Sequence, residues 1–211
     1  MPIVFEHSDS SGRYRLAVWE CDGKETDSAD RLLTEQEMTD WKGFRSEARR
    51  LEFVTVRLLL KHLAGEQATV KYDSYGSPIL NDGRPVSITH SGSRVAVMVA
   101  ENGVPGIDLE AERGNIHLVS GKFISEQEKS AFGDLLTVPA MHVIWCAKEI
   151  LFKIYRKGGI DFRKDLHVAP VKITDAGTLK ASLRKPDLQI ETEMTYRISD
   201  GFVLAWGLHS P

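Results

Sequence analysis

The stretch GVPGIDLEAERG, residues 103–114, carries two carboxylates, Asp108 and Glu110, set two positions apart in an alternating apolar pattern. On an extended strand successive side chains point to opposite faces, so Ile107 and Leu109 go one way and Asp108 and Glu110 the other. Like charges side by side repel, and a divalent cation between them turns that repulsion into chelation. Further along, WCAKEILFKIYRKGG sets Lys148 next to Glu149, with Lys153 one helical turn beyond Glu149. Asp108, Glu110 and Glu149 meeting at one point would form an oxygen-donor site suited to Mg²⁺, which completes its shell with water and phosphate. Plainer readings stand beside this one. The two acids fit a half-exposed strand equally well, and Glu149 with Lys153 fits a surface pair worth ~0.2–0.5 kcal/mol. Arg156 and Lys157 are ordinary cations for a helix C-terminus.

A second group lies in YDSYGSPILNDGRPVSITHSGS, residues 72–93. The turns Gly76-Ser77-Pro78 and Asp82-Gly83-Arg84-Pro85 are expected to leave backbone N–H groups open to a ligand. Thr89, His90, Ser91 and Gly92 follow at a strand mouth, where hydroxyls, an imidazole and amides can hold a phosphate. A histidine in such a place more often packs as a structural residue. Arg49, Arg50 and Arg57 add positive charge from a long helix, for which a solvated basic face is the bland reading.

The elements that must carry these residues are readable. Thr34 and Ser125, each with Glu three positions on, are capping-box helix starts. Residues 46–64 and 140–156 have apolar positions at helical spacing, with Gly65 and Gly158 as their stops. RVAVMVA (94–100) is an apolar strand, and Glu-Asn-Gly after it predicts a hairpin that pairs it with the GIDLE strand. Shifting the chain on itself by 91 positions brings Thr34-Glu35-Gln36-Glu37 onto Ser125-Glu126-Gln127-Glu128, Arg57 onto Lys148 and RLAVW onto GIDLE. SGSRVAVMV (91–99) matches SDGFVLAWG (199–207) at a larger shift, so the second half carries an insertion. The expected organisation is α+β, two similar α/β lobes over residues 1–102 and 103–211, with ligands favoured at the cleft between lobes.

Composition narrows the classes. The chain has 211 residues, 42% hydrophobic and 27% charged, enough for a real core, and a net charge of −3 that gives no field for gripping duplex nucleic acid. No window approaches the ~20 apolar residues of a membrane span. The opening residues lack a basic start and a long apolar run, so no signal peptide is read there. Cys21 and Cys146 read as reduced thiols of a cytoplasmic protein rather than a disulfide framework or a metal cluster.

Taken together, Gly106-Ile107-Asp108-Leu109-Glu110, then Trp145-Cys146-Ala147-Lys148-Glu149-Ile150-Leu151-Phe152-Lys153, with Thr89-His90-Ser91 upstream, resemble the 4′-phosphopantetheinyl transferase superfamily. The nearest branch is its two-lobed type, which serves polyketide, peptide and some fatty-acid synthases. RRLEFVTVRLLL (49–60) and YGSPIL (75–80) fall in the order seen in that family, so the likeness spans nearly the whole chain. It implies two lobes related by a pseudo-two-fold. It also implies an Mg²⁺-dependent reaction in which a serine of an apo acyl or peptidyl carrier protein takes the phosphopantetheine arm of coenzyme A and 3′,5′-ADP leaves.

By position in the motifs, Asp108, Glu110 and Glu149 would be metal ligands. Glu149 would also help deprotonate the serine, and Lys153 would neutralise phosphate charge. For coenzyme A the likeness points to Arg57, His90, Thr89 and the turn through Gly76, Ser77 and Pro78, with Arg50 a looser candidate; Lys148 is left to structure. Ser77 stands where the family often has Lys, Thr89 where Ser is commoner, and Ala111 where a basic residue is frequent. Glu128 matches a family acid and equally a helix-start residue. A single chain would suffice, making a monomer the expected state, without nucleic acid or membrane partners. Two rival classes are a metal-dependent phosphodiesterase or nuclease, which the acidic net charge disfavours, and a non-catalytic coenzyme A-binding module, which has no chemical use for the full set of acids and Lys153.

Overall fold

The computed structural model describes residues 2–210. It is a mixed α and β structure whose contacts divide into two compact units, residues 1–102 and 103–211.

In the first unit the strands β1 (Ile3–Ser8) and β2 (Tyr14–Glu20) precede helices α1 (Ala29–Leu32), α2 (Glu35–Gly43) and α3 (Glu47–Ala64). The strands β3 (Val70–Tyr72), β4 (Pro78–Leu80), β5 (Val86–Ser91) and β6 (Arg94–Ala100) follow. Four of them make an antiparallel sheet in the order β1-β2-β6-β5, while β3 and β4 pair separately. Helix α3 buries Val56, Leu59, Leu60 and Leu63 with Ala17, Val95, Val97 and Val99 of the sheet. Ser46 caps its start by accepting the Arg49 N–H, and Gly65 ends it at a φ of 104°.

The second unit contains β7 (Val104–Ala111), α4 (Glu126–Phe132), α5 (Val138–Tyr155), β8 (Leu166–Val168), β9 (Ala176–Lys185), β10 (Leu188–Ser199) and β11 (Phe202–His209). Its five strands are antiparallel in the order β7-β11-β10-β9-β8. Helix α5 supplies Ala147, Ile150, Leu151 and Ile154 to a core shared with Leu179, Tyr196, Val203 and Ala205.

Each unit follows one plan. The helix Glu47–Ala64 falls on Val138–Tyr155 at the 91-residue shift with no offset at either end. Both capping boxes are formed, Thr34 with Glu37 and Ser125 with Glu128. The order β2-β6-β5 in one unit matches β7-β11-β10 in the other, and Leu16 lies opposite Met98 as its counterpart Ile107 lies opposite Trp206. The longer segment after α5 forms β8 and β9, which is where the second half is extended.

Two expectations are corrected. The run β6 does not form a hairpin with β7; it pairs with β2 and β5, and β7 pairs with β11. A central strand has both hydrogen-bonding edges occupied, so Glu101-Asn102-Gly103 becomes a connection between sheets instead of a hairpin turn. Helix α5 also stops before Gly158. Arg156 takes the left-handed conformation, φ 62°, and its N–H bonds back to the Phe152 carbonyl. Among the described residues no helix is long and apolar enough to cross a membrane.

Candidate active site

Alternation along β7 puts Gly106, Asp108 and Glu110 on one face. A Cβ on Gly106 would lie 2.5 Å from Cγ2 of Ile150, so this face is the one that α5 closes upon, and a glycine is needed for the approach. The acids are therefore turned towards the helix. Asp108 is only 5% exposed, and Ile107 and Leu109 on the other face are buried as well. The half-exposed strand is ruled out at Asp108.

From α5 the residues Trp145, Glu149 and Lys153, spaced by four, present one stripe to that strand. Trp145 Nε1 donates to Glu110 Oε1 at 3.0 Å. Lys153 Nζ donates to Asp108 Oδ1 at 2.7 Å and to the Ile107 carbonyl at 2.8 Å. Burial above all, then the charge of Asp108 and that of Glu110, push the Glu149 carboxyl up to about 7, with Lys153 pulling the other way. Both strand acids thus act on Glu149. The thiol of Cys146, buried beside them, is raised well above its ordinary range by burial and by the charges of Asp108 and Glu110.

Among the described residues no three His, Cys, Asp or Glu side chains stand where they could hold a metal ion together. The ready-made chelate expected from the sequence is not the arrangement found. The ammonium of Lys153 gives Asp108 the neutralisation that a cation was expected to give, and the indole of Trp145 occupies an oxygen of Glu110. The donor types still suit Mg²⁺ chemically: three hard carboxylates, of which Asp108 and Glu110 both act on Glu149 and make it reluctant to ionise.

Lys148 points elsewhere on the helix. It is fully buried, and its ammonium donates to Glu128 Oε2 at 2.7 Å and to the carbonyls of Phe123 at 2.6 Å and Phe162 at 2.9 Å. Burial lowers its pKa and Glu128 opposes the shift. Glu128 thus serves both its capping box and this buried pair. Sequence reading missed Trp145 as a site residue; the available signal was its position one helical turn before Glu149.

The first unit's candidates have mixed fates. Arg57 is no solvated cation: it is 5% exposed, Nε donates to Glu37 Oε1 at 3.0 Å, and the guanidinium lies 3.4 Å above the Phe53 ring. It borders a cavity of about 510 Å³ lined also by Phe44, Arg49, Glu52 and Tyr72. Arg50 donates to the carbonyls of Phe44 at 2.9 Å and Lys42 at 3.3 Å, and stacks over Trp41. It is therefore committed to the end of α2, which weakens its case as a ligand contact. His90 Nε2 lies 3.2 Å from Glu52 Oε1, to which Arg49 also pairs, and Thr89 is buried in β5.

The turn at Gly76, Ser77 and Pro78 does not hold its amides open. Asp73 accepts from Ser77 N through Oδ1 at 2.9 Å and from Gly76 N through its carbonyl at 3.0 Å, and Pro78 has no N–H. The second turn is closed in the same way, with Gly83 N bonded to the Leu80 carbonyl and Arg84 N to Asp82 Oδ1. Short aspartate side chains satisfy their own turns locally, and this consumed the donors counted from sequence.

Compared with protein-family models and with curated proteins, the chain gives no match.

Proposed function

We propose that this protein transfers the 4′-phosphopantetheine arm of coenzyme A to a serine of an apo acyl or peptidyl carrier protein. The observation that carries the reading is the meeting of Asp108, Glu110, Glu149 and Lys153 on the β7–α5 face, four residues that the transferase-like motifs mark and that pair across about forty positions of sequence. Mg²⁺, when bound by Asp108, Glu110 and Glu149, would neutralise charge on the pyrophosphate.

The rest of the chemistry falls to the chain's own groups. Phosphoryl transfer is largely positioning and charge neutralisation. The serine oxygen bonds to the phosphorus that bears pantetheine, the bridging P–O bond breaks, and 3′,5′-ADP takes the electron pair. Glu149, raised to about 7 in the metal-free protein and brought to its charged form by the cation, would accept the serine proton directly or through water. Lys153, held on Asp108 in the resting protein, would neutralise phosphate charge, as the motif likeness implies. By the motif likeness His90 would serve the nucleotide, with Glu52 as a competitor that phosphate must displace from it.

Incubation with coenzyme A, Mg²⁺ and a panel of apo carriers, read by intact mass, tests this. The carrier should gain one phosphopantetheine arm with the unaltered protein, and Glu149→Gln should lower the rate by about 10²-fold or more. Full activity in Glu149→Gln removes the proposed role, and coenzyme A binding with no mass gain across the panel removes the activity.

A further inference from the structure

The ammonium of Lys148 is too far round the helix to reach the acids, yet the two carbonyls it holds belong to residues whose rings enclose Trp145. Phe123 meets the indole edge-on at 5.1 Å and Phe162 stacks on it at 5.5 Å. The indole in turn donates to Glu110. Glu128, the counter-ion, is itself anchored, for Oε2 accepts from Ser125 N and Oε1 from Val168 N, both at 3.0 Å. We infer that Lys148 is a positioning residue that fixes Glu110 at a distance, through the Phe123 and Phe162 backbone and the Trp145 indole. For its bearing on catalysis this rests on the transferase reading; the relay itself does not.

One argument favours a relay over simple packing. A buried ion pair rarely out-stabilises an apolar replacement of the same volume, so stability alone gives weak cause for an ammonium here. The first unit provides a natural comparison. Arg57 and Glu37 form the same pair at equivalent positions, but Val54 stands where Trp145 does and Ala17 and Trp19 stand where Asp108 and Glu110 do. The clamp itself therefore belongs to the fold common to both copies, and what the second copy adds is the indole that links it to Glu110.

Phe162→Leu tests the relay gently, since it keeps the carbonyl and removes the stacked ring. With coenzyme A present, Mn²⁺ affinity read by electron paramagnetic resonance should fall about tenfold. The Trp145 indole proton, identified by the signal lost in Trp145→Phe, should exchange with solvent about tenfold faster. Glu110→Gln should weaken Mn²⁺ as well, and adding Phe162→Leu to it should cost nothing more. Lys148→Met should repeat the pattern and Lys148→Arg should largely preserve the unaltered behaviour. Should Lys148→Met fail to fold, Phe162→Leu alone decides between relay and packing.

The inference is overturned if Phe162→Leu leaves affinity and exchange within about twofold, if its effect multiplies with that of Glu110→Gln, or if the unaltered protein binds no Mn²⁺. A protected indole and coupled Mn²⁺ binding without carrier transfer would leave the relay standing and remove the transferase reading. Transfer with an insensitive indole would do the reverse.

Discussion

Glu149 shows how a residue's chemistry is set by what surrounds it. Its neighbours on the helix are legible in the sequence; its proton affinity is not, because that depends on burial and on two acids some forty positions away. In the fold it holds its proton up to about 7, against 4.5 ordinarily. Between those values the folded chain binds more protons than the unfolded one, so stability is fully present below about 4.5 and is lost as pH rises through about 7. Metal-free protein should therefore lose on the order of 2 kcal/mol between about pH 5 and about pH 8, after allowance for solvent screening. Urea unfolding across that range measures it, and in Glu149→Gln this part of the pH dependence should vanish. An unchanged slope in the variant would mean that the carboxyl titrates normally. The adjacent Lys148 shows the opposite lesson, because a rotation of about 100° per helical residue already separates it from the acids in the sequence.

Between elements, what decides the site is how closely α5 approaches β7. The sequence marked Gly106 only as the start of a motif, yet the helix rests on it, with Ile150 filling the space a side chain would need. Gly106→Ala should overpack this contact and cost about 1–3 kcal/mol by urea unfolding. Combining it with Ile150→Ala should cost less than the sum of the two single changes, since the second removes the clashing methyl. Strict additivity would show that the helix simply shifts. Helix starts were legible because capping is local: Thr34 with Glu37 and Ser125 with Glu128 each need four consecutive residues. Strand pairing was not, because a turn-like Glu-Asn-Gly says nothing about which edges of β6 are already taken. The end of α5 was misjudged for a related reason: the left-handed cap fell on an arginine, where sequence preference points to the nearest glycine.

Across the whole chain the informative feature is duplication with unequal inheritance. Both copies keep the strand register, the paired capping boxes and a buried cation on the capping acid, and these were visible as an internal repeat because packing constrains them alike. Only the second copy bears the acids, which separates residues that build the fold from residues that act within it. That comparison changes the standing of Arg57. The motif likeness marks it for phosphate, but its place in the plan is that of Lys148, a cation buried against a capping glutamate. Arg57→Met should then cost about 3–5 kcal/mol of stability, because it strands Glu37 with its side chain only 12% exposed. Arg57→Met with Glu37→Gln should recover a large part of that loss by removing the stranded charge. Thermal unfolding of the two variants distinguishes the roles: if the double variant is no more stable than the single one, the pair is not what holds Arg57 in place, and its guanidinium is kept for a ligand.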